Sequence, residues 1–530
     1  MRKALLALLC VTAGLGTASS SYAQIRETAV TGGRVSGVVT NGIAAFKGIP
    51  FAAPPVGALR WKAPQPVTVW TGVKAADAFA ASCIQDTAFP KLFGAPDAIS
   101  EDCLYLNVWT PAKSASDRLP VMVWIYGGAF TGGMTSIPAY DGAPLAEKGV
   151  VLVSISYRLG VFGFLAHPEL TKESGKGSGN YGLQDQIAGL RWVKDNIARF
   201  GGDPNRVTIF GESAGGISVS MLAASPAARG LFHRGISESG GSFGPARTSN
   251  EGGATVPSLK VAETTGQSFL TRLGAADIAT ARQMPAAAVF KAVGGGLLGT
   301  GFWPVFDGDV LPGDQYQLYQ ARRFNDTPIL IGTNSDEGIT FVQGVAQPAA
   351  FEASIRAAYG ARAETILAAY PHATVAEATQ SARNIFRDAT FAWHTWTWAQ
   401  LQSKHGRSKA YVYYFDHRTP LSPNGAGHAA EIPYVFRTLG KFTGPAALVG
   451  APRPEDRAMS ELMSSYWVNF AKTGDPNGPG LPPWPAFTES AQTMLHFDAK
   501  SSARPAPNMT QIKALDEYFA WRRQEAKAKK

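Results

Sequence analysis

The sequence predicts an α/β fold in which a large, mainly parallel central sheet is flanked by helices. Three short apolar runs are bounded by glycine, at residues 119–126 (LPVMVWIY), 150–157 (VVLVSISY) and 206–211 (RVTIFG). Runs of this kind are typical of strands buried on both faces, as in parallel sheets. Between the second and third runs, residues 182–200 carry apolar side chains at helical spacing. This alternation of strand and helix indicates the α/β class.

The remaining segments fit the same domain. Residues 26–47 alternate β-branched and small residues with glycine turns, which predicts an early antiparallel hairpin. Further strands are predicted at residues 328–332, 410–415 and 493–497, helical insertions over the functional end of the sheet at residues 242–300 and 345–405, and a closing helix at residues 516–524. Although 530 residues exceed the usual size of one domain, we expect residues 24–530 to form a single domain with insertions.

Residues 1–23 have the three parts of a secretory signal peptide. A positively charged start is followed by an apolar stretch and then by small and polar residues that end in Ser21-Tyr22-Ala23. This pattern predicts cleavage after Ala23 and a secreted or periplasmic protein. The apolar stretch is too short to span a bilayer and no later run is long enough, so no stable membrane insertion is expected.

Cleavage there would leave two cysteines, Cys83 and Cys103. Two cysteines in an exported chain indicate one disulfide, with two free thiols as the alternative. Closing a loop of about 20 residues would stabilise the fold by ~3 kcal/mol.

The charge of the chain does not point to nucleic acid. The formal net charge is +9, and the basic residues are spread along the chain apart from the tail at residues 527–530. Nucleic-acid binders place basic residues in patches interleaved with aromatics, a pattern that is absent from this sequence. We therefore expect a small-molecule substrate and no nucleic-acid partner.

A nucleophile is predicted at Ser213, within the motif Gly211-Glu212-Ser213-Ala214-Gly215. The motif follows a predicted buried strand and precedes a helical stretch, which is the context of the nucleophile elbow of the α/β-hydrolase fold. A serine on such a sharp turn projects its hydroxyl into a cleft, and the following helix N-terminus favours a developing negative charge. Without that context the motif would be a weak signal.

The donors for that negative charge are predicted from a second glycine-rich segment. The strand at residues 119–126 ends in Gly127-Gly128-Ala129-Phe130. Small residues at this end of a strand let backbone amides approach a reacting oxygen closely. We expect the amides of Gly128, Ala129 and Ala214 to form an oxyanion hole, where losing one donor typically costs ~10²–10³ in rate.

An acid and a histidine should follow the serine along the chain, in that order. Two carboxylates, Asp336 and Glu337, come directly after the predicted strand at residues 328–332, and the residues alone favour neither. The histidines that follow them are His372, His394, His405, His417, His428 and His496. His428 lies in a glycine-containing loop after a strand, from which an imidazole can reach the serine.

The chain resembles the type-B carboxylesterase and cholinesterase-like family. The matching stretches run along nearly the whole mature chain: FKGIPFAAPPVGALRW (46–61), EDCLYLNVW (101–109), VWIYGGAFTGG (123–133), YRLGVFGFL (157–165), NYGLQDQ (180–186), FGGDPNRVTIFGESAGG (200–216), TNSDEG (333–338), GHAAEIPYVF (427–436) and WVNFAKTGDPN (467–477). Their order is highly specific for the family and much less specific for the substrate.

The resemblance implies Glu337 as the acid and His428 as the base. Relatives often carry glycine where this chain has Ala429. Charged residues inside the matched stretches are expected to form buried ion pairs, such as Arg60 with Glu101 and Arg158 with Asp185. Glu212 and Glu431 fit a structural role about as well as a role at the reacting centre. Phe130, Trp303, Phe306 and Phe391 fit an apolar gorge or ordinary core packing.

The resemblance thus implies a serine carboxylesterase that works through an acyl-enzyme, as a monomer or homodimer and without metal or organic cofactor. Amide, lactone or thioester hydrolysis by the same residues is an alternative, and so is a non-catalytic binding module, against which the presence of all three residues argues. Basic residues near the site could favour acidic esters. We expect activity to rise with pH through an apparent pKa near ~6.5–7, because the base must be neutral.

Overall fold

The computed structural model describes residues 24–96, 98–247, 256–294, 301–441 and 451–528. The predicted signal peptide lies outside the described residues, as do residues 248–255 and 295–300 of the first predicted helical insertion. The strands are β1 (Glu27–Val30), β2 (Gly33–Ser36), β3 (Val38–Thr40), β4 (Ile43–Pro50), β5 (Val73–Ala75), β6 (Ser82–Cys83), β7 (Ile99–Ser100), β8 (Tyr105–Thr110), β9 (Leu119–Ile125), β10 (Val151–Ile155), β11 (Gly202–Glu212), β12 (Arg234–Glu238), β13 (Ile329–Asn334), β14 (Ala410–Phe415), β15 (Thr493–Phe497) and β16 (Ser502–Pro505).

A large mixed sheet dominates the described residues, with the order β16-β15-β14-β13-β12-β11-β9-β10-β8-β4-β3. The strands from β15 to β10 pair in parallel, and the pairs at both edges are antiparallel. The parallel strands are almost fully buried because helices cover both faces, which confirms the predicted α/β class. All their carboxyl ends meet at one edge.

The amino-terminal hairpin prediction is confirmed, with two hairpins in place of one. Strands β1 and β2 pair antiparallel and add β5 in a small separate sheet, whereas β3 and β4 join the edge of the large sheet. Two further short strands, β6 and β7, form a parallel pair. Cys83 of β6 is joined by a disulfide to Cys103, which lies between β7 and β8.

The sequence patterns missed three strands of the large sheet, β8, the edge strand β16 and, among the parallel strands, β12. The residues of β12, RGISE, include one large apolar side chain, Ile236, so neither a continuous apolar run nor a clear alternation marks it. The strand is nevertheless fully enclosed, because β11 and β13 hydrogen-bond to its two edges.

The helices include those predicted between the strands and in the insertions. They are α1 (Ala88–Leu92), α2 (Ala143–Ala146), α3 (Gly160–Phe164), α4 (Pro168–Ser174), α5 (Tyr181–Asn196), α6 (Ala214–Ala224), α7 (Leu259–Leu273), α8 (Ile278–Gln283), α9 (Ala286–Lys291), α10 (Gln315–Gln320), α11 (Pro348–Tyr359), α12 (Ala363–Ala369), α13 (Val375–Arg387), α14 (Trp393–His405), α15 (Ile432–Val435), α16 (Pro454–Thr473) and α17 (Met509–Ala528). Among the helices of the described segments, none has the length and apolar composition that crossing a bilayer requires.

Candidate active site

Five loops meet at the edge where the parallel strands end. They follow β9, β11, β12, β13 and β14, which lie side by side in the sheet. In open α/β sheets this edge is where ligands bind, because the loops after parallel strands converge there. The predicted serine, acid, histidine and amide donors all lie on these loops.

Ser213 occupies the sharp turn between β11 and α6. Its φ of 55° and ψ of −123° are unusual for a residue with a side chain and cost about 1–3 kcal/mol, so the surrounding structure must hold them in place. The turn is tight because a side chain on Gly215 would collide with the carbonyl oxygen of Ile125 on β9. Helix α6 then starts at Ala214 and directs its N-terminus at the serine.

The predicted oxyanion loop is also held in an unusual conformation. Gly128, Ala129 and Phe130 all have positive φ, at 109°, 54° and 58°. Within the residues that the structure describes, the amides of Gly128, Ala129 and Ala214 donate to no other protein group. Free amides that are fixed beside the elbow are the donors that a developing oxyanion needs.

A hydrogen-bonded glutamine supports this loop from the disulfide-closed segment at residues 83–103. The buried side chain of Gln85 accepts a hydrogen bond from the amide of Gly133 at 2.9 Å and donates to its carbonyl at 3.0 Å. The ring of Phe89 fills the space above Gly132 and Gly128, where a Cβ would collide with it. Gln85 therefore holds the loop through both the amide and the carbonyl of Gly133.

The structure brings His428 and Glu337 together. Nδ1 of His428 lies 2.6 Å from Oε2 of Glu337, and both side chains are buried. The other oxygen of Glu337 accepts from the hydroxyl of Ser239 at 2.5 Å and from the amide of Asn334 at 2.8 Å. The carboxylate is thus fixed at both oxygens, and Ser239 follows β12, one of the strands that the sequence patterns missed.

Asp336, the competing acid, makes no hydrogen bond or ion pair with the imidazole within the described residues. Its carboxylate faces the positive charges of Arg383 and Arg387, and its amide donates to the carbonyl of Ala426. Of the two carboxylates left open by the residues, Glu337 is the one that contacts His428.

Other histidines have partners elsewhere. The amide of Phe243 donates to Nδ1 of His394 at 2.9 Å, and burial lowers the pKa of His394 to about 3, so it stays neutral. Nε2 of His417 lies 2.7 Å from Oδ1 of Asp456. Nε2 of His496, near the end of β15, lies 3.2 Å from the carbonyl oxygen of Pro505.

A second carboxylate lies on the opposite side of the imidazole. Nε2 of His428 is 3.1 Å from Oε1 of Glu212, the residue before Ser213. Among the described residues, Nε2 contacts this carboxylate and no hydrogen bond joins it to the hydroxyl of Ser213, so the structure brings the histidine to the elbow without a direct serine–histidine bond. Glu431 lies behind this pair and accepts a hydrogen bond from the side chain of Asn334.

These carboxylates raise the pKa of the histidine. Burial by itself lowers the pKa of His428, but the negative charges of Glu212 and Glu337 outweigh it, so the net pKa lies above the usual 6.5. Burial also raises the pKa of Glu212, and burial with the nearby Glu212 and Glu337 raises the pKa of Glu431. Burial, together with the negative charges of Glu431 and Glu212, raises the pKa of Glu238, at the end of β12, well above its usual value.

The aromatic residues around the site are mostly packed against other rings. Phe130 is fully buried against Trp303, with ring centroids 4.8 Å apart. Phe391 stacks on His428 itself, with centroids 4.7 Å apart and an interplanar angle of 18°. The ring of Phe341 also packs against this imidazole, with centroids 5.0 Å apart.

Both expected ion pairs are confirmed. Arg60 and Glu101 are 2.7 Å apart, and Arg158 and Asp185 are 2.8 Å apart and almost fully buried. Ala429, where relatives often carry glycine, has a φ of 66°, a conformation that costs a residue with a Cβ about 1–2 kcal/mol and that glycine adopts freely. This explains why glycine suits the position after the histidine.

Comparison with known proteins agrees with this geometry. A model of the Carboxylesterase family matches residues 20–515. The fumonisin B1 esterase of Sphingopyxis macrogoltabida is 37% identical over 474 residues, which cover 87% of this chain and 84% of that protein. The para-nitrobenzyl esterase of Bacillus subtilis (strain 168) is 36% identical, over 90% of this chain and 95% of its own.

Solved structures of similar proteins share the fold. A thermophilic PNB esterase superimposes with a TM-score of 0.80 at 34% identity, covering 92% of this chain and 99% of its own. A carboxylesterase of Geobacillus stearothermophilus matches with a TM-score of 0.78 at the same identity and coverage. Both identity and coverage are high enough that the likeness extends beyond the fold to the family.

Proposed function

The chain belongs to the carboxylesterase family and hydrolyses carboxylic esters, and from this premise we propose that Ser213, His428 and Glu337 are its catalytic triad. The observation that carries the proposal is the pair of contacts of His428. One ring nitrogen is 2.6 Å from Oε2 of Glu337, and the other is 3.1 Å from Oε1 of Glu212, the residue before Ser213. Such a histidine can take a proton on one side while a carboxylate stabilises the resulting charge on the other.

The reaction follows from these positions. The hydroxyl oxygen of Ser213 attacks the ester carbonyl carbon as Nε2 of His428 takes its proton. The carbonyl oxygen becomes an oxyanion that accepts hydrogen bonds from the amides of Gly128, Ala129 and Ala214. Collapse of this intermediate breaks the bond to the alcohol, which leaves with the proton from His428.

The second half repeats these steps with water. His428 takes a proton from water as the water oxygen attacks the acyl-enzyme, and the same amides stabilise the second oxyanion. The bond to Ser213 then breaks, the serine recovers its proton and the carboxylic acid leaves. Glu337 holds the imidazole in the tautomer with the proton on Nδ1 throughout.

Substitution of the serine tests the nucleophile. We expect Ser213→Ala to abolish both ester hydrolysis and covalent labelling by a fluorophosphonate probe. The matched control is Ser220→Ala on the same helix, whose hydroxyl, among the residues that the structure describes, donates to the carbonyl of Ile217. Labelling of the Ser213→Ala protein at the wild-type rate would overturn the proposal.

The acid is tested by two neighbouring substitutions. Glu337→Gln should lower kcat by ~10³–10⁴-fold, because the imidazolium then lacks its charged partner. Asp336→Asn should have a far smaller effect, since Asp336 faces Arg383 and Arg387. Equal losses in the two variants would contradict the assignment of Glu337.

The substrate is proposed only as a class, a small organic ester. Relatives are named for p-nitrobenzyl esters and for fumonisin B1, so these two compounds and a series of p-nitrophenyl esters form the first panel. Matched anilides, lactones and thioesters test the alternative bonds. Turnover of an anilide faster than its ester would show that the ester is not the preferred bond.

We also propose that the protein is exported. The disulfide between Cys83 and Cys103 supports this proposal, because such bonds persist in oxidising compartments. Amino-terminal sequencing of the mature protein should find Gln24 as its first residue. A mature protein that begins at Met1 and stays in the cytoplasm would contradict it.

A further inference from the structure

The helical segment at residues 375–405 contains one wide turn. Helix α13 ends at Arg387 and helix α14 begins at Trp393, and residues Asp388–Ala392 between them form a π-helix. The amide of Trp393 donates to the carbonyl of Asp388, five residues earlier, instead of the usual four. Wide turns of this kind insert an extra residue into a helix and are frequent at functional sites.

Buried polar contacts hold this wide turn in place. The carboxylate of Asp388 is completely buried, and it accepts from Nε of Arg387 at 2.7 Å and from the hydroxyl of Tyr370 at 3.0 Å. Arg387 also donates to the carbonyl oxygen of Ser335 at 2.8 Å. One end of the turn is therefore bonded to the loop that carries Glu337.

The other end of the turn reaches the histidine. Phe391 is 3% exposed, and its ring lies nearly parallel to the imidazole of His428 at a centroid distance of 4.7 Å. Arg387, directly before the wide turn, thus contacts the loop that carries Glu337, and Phe391 in the turn contacts the imidazole of His428.

A contact on the face of the imidazole restricts tilting of the ring, which its hydrogen bonds do not. Glu337 and Glu212 both contact ring nitrogens, so they fix the ring along the line between the two carboxylates. They do little to stop the ring from tilting about that line. A flat ring stacked on one face opposes this tilt, and its electron-rich face also attracts the positive charge of an imidazolium.

We infer that Phe391, presented by the wide turn Asp388–Ala392, is a positioning residue that sets the plane of the His428 imidazole during ester hydrolysis. The inference rests on the proposed role of His428. Phe391 acts through the histidine and does not itself transfer a proton. Its effect therefore belongs to kcat and is the same for different esters.

The test replaces Phe391 by Leu and, in a second variant, by Met, which fills an irregular space without a flat face. We expect kcat to fall about 10-fold or more with KM little changed, because small misplacements of catalytic groups are costly. The reduction in kcat should be equal for acetate and butyrate esters. The far-downfield proton resonance of the His428–Glu337 hydrogen bond should shift or broaden in both variants.

The matched control is Phe351→Leu, because Phe351 is equally buried and also packs beside a histidine, His372, away from the site. It should keep kcat and the downfield resonance. Unchanged kcat and resonance in both Phe391 variants would overturn the inference, as would a change confined to KM or to one acyl length, which would make Phe391 a pocket wall.

Failure of the inference is distinguishable from failure of the proposed triad. If His428→Ala and Ser213→Ala keep wild-type activity, the triad itself is wrong. If those two proteins are inactive while the Phe391 variants behave as wild type, the triad stands and the positioning role alone is refuted.

Discussion

At the scale of single residues, the protonation of His428 depends on the carboxylates around it. Glu212 and Glu337 contact its two ring nitrogens, and Glu431 adds a further negative charge nearby. A pKa near that of a free imidazole, which the sequence suggests, neglects these neighbours. Because the general base must be neutral and its pKa is raised, the rise of kcat/KM with pH should lie above pH ~6.5–7.

Glu212→Gln tests the electrostatic part of this account. The substitution removes a negative charge beside Nε2, so the pKa of His428 falls and the rise of kcat/KM moves to lower pH. A profile of kcat/KM between pH 5 and 9 measures the shift. The control is Glu489→Gln, because this carboxylate is exposed and its ion pair, within the described part of the chain, is with Lys404 at 3.5 Å.

Two outcomes would contradict the prediction. A profile that stays in place in the Glu212→Gln protein would mean that Glu212 is already protonated in the working enzyme, which its own raised pKa would then explain. A wild-type profile of kcat/KM that is flat from pH 5 to 8 would show that no general base titrates in this range.

At the scale of elements, the oxyanion loop depends on a segment that contributes none of the predicted donors. The loop has three consecutive residues with positive φ, and such strain persists only where neighbours hold it. Gln85 supplies that support, because it bonds both the amide and the carbonyl of Gly133. The disulfide anchors the same segment two residues earlier, at Cys83.

Gln85→Leu should therefore loosen the amides of Gly128 and Ala129. We expect kcat to fall by about 10-fold or more with KM little changed, less than the ~10²–10³ that deletion of a donor costs. Affinity for a trifluoromethyl ketone, which forms a tetrahedral adduct, should fall in proportion to kcat/KM.

Gln65→Leu is the matched control, since this exposed glutamine also donates to a backbone carbonyl, that of Ala63, but lies outside the site. It should leave kcat and inhibitor affinity as they are. If Gln85→Leu lowers thermal stability while kcat and inhibitor affinity hold, Gln85 stabilises the fold without aligning the donors.

At the scale of the whole molecule, the disulfide contributes to the free energy of unfolding. Cys83 and Cys103 are 20 residues apart and both are buried. Replacing both by alanine should lower the free energy of unfolding by ~3 kcal/mol, because the unfolded chain gains the freedom of an open loop. For a chain of 530 residues this corresponds to a Tm lower by about 3 °C.

Scans at one heating rate, with and without reductant, measure this effect. The wild type should lose the same stability when it is unfolded, reduced and refolded, whereas reductant added to the folded protein should act slowly on the buried bond. Equal Tm values for the double variant and the oxidised wild type would show that the bond does not stabilise the fold.

Patterns local to the sequence were enough to predict most of the sheet. Strands β9, β10 and β11 are continuous apolar runs, and such runs are recognisable because both faces are buried. Strand β12 has one large apolar residue, and only its hydrogen bonds to β11 and β13 make it a strand. Ser239 follows that strand, so its bond to Glu337 was missed with it.

Glycines and chain order were enough to predict the elbow at Ser213, the loop that precedes it and the position of His428 after a strand, because these signals are local. Tertiary structure decided which carboxylate meets the imidazole, that Glu212 lies on its other side and that Phe391 covers its face. These contacts join residues more than 30 positions apart. Their geometry depends on strand order and helix register, which no local pattern records.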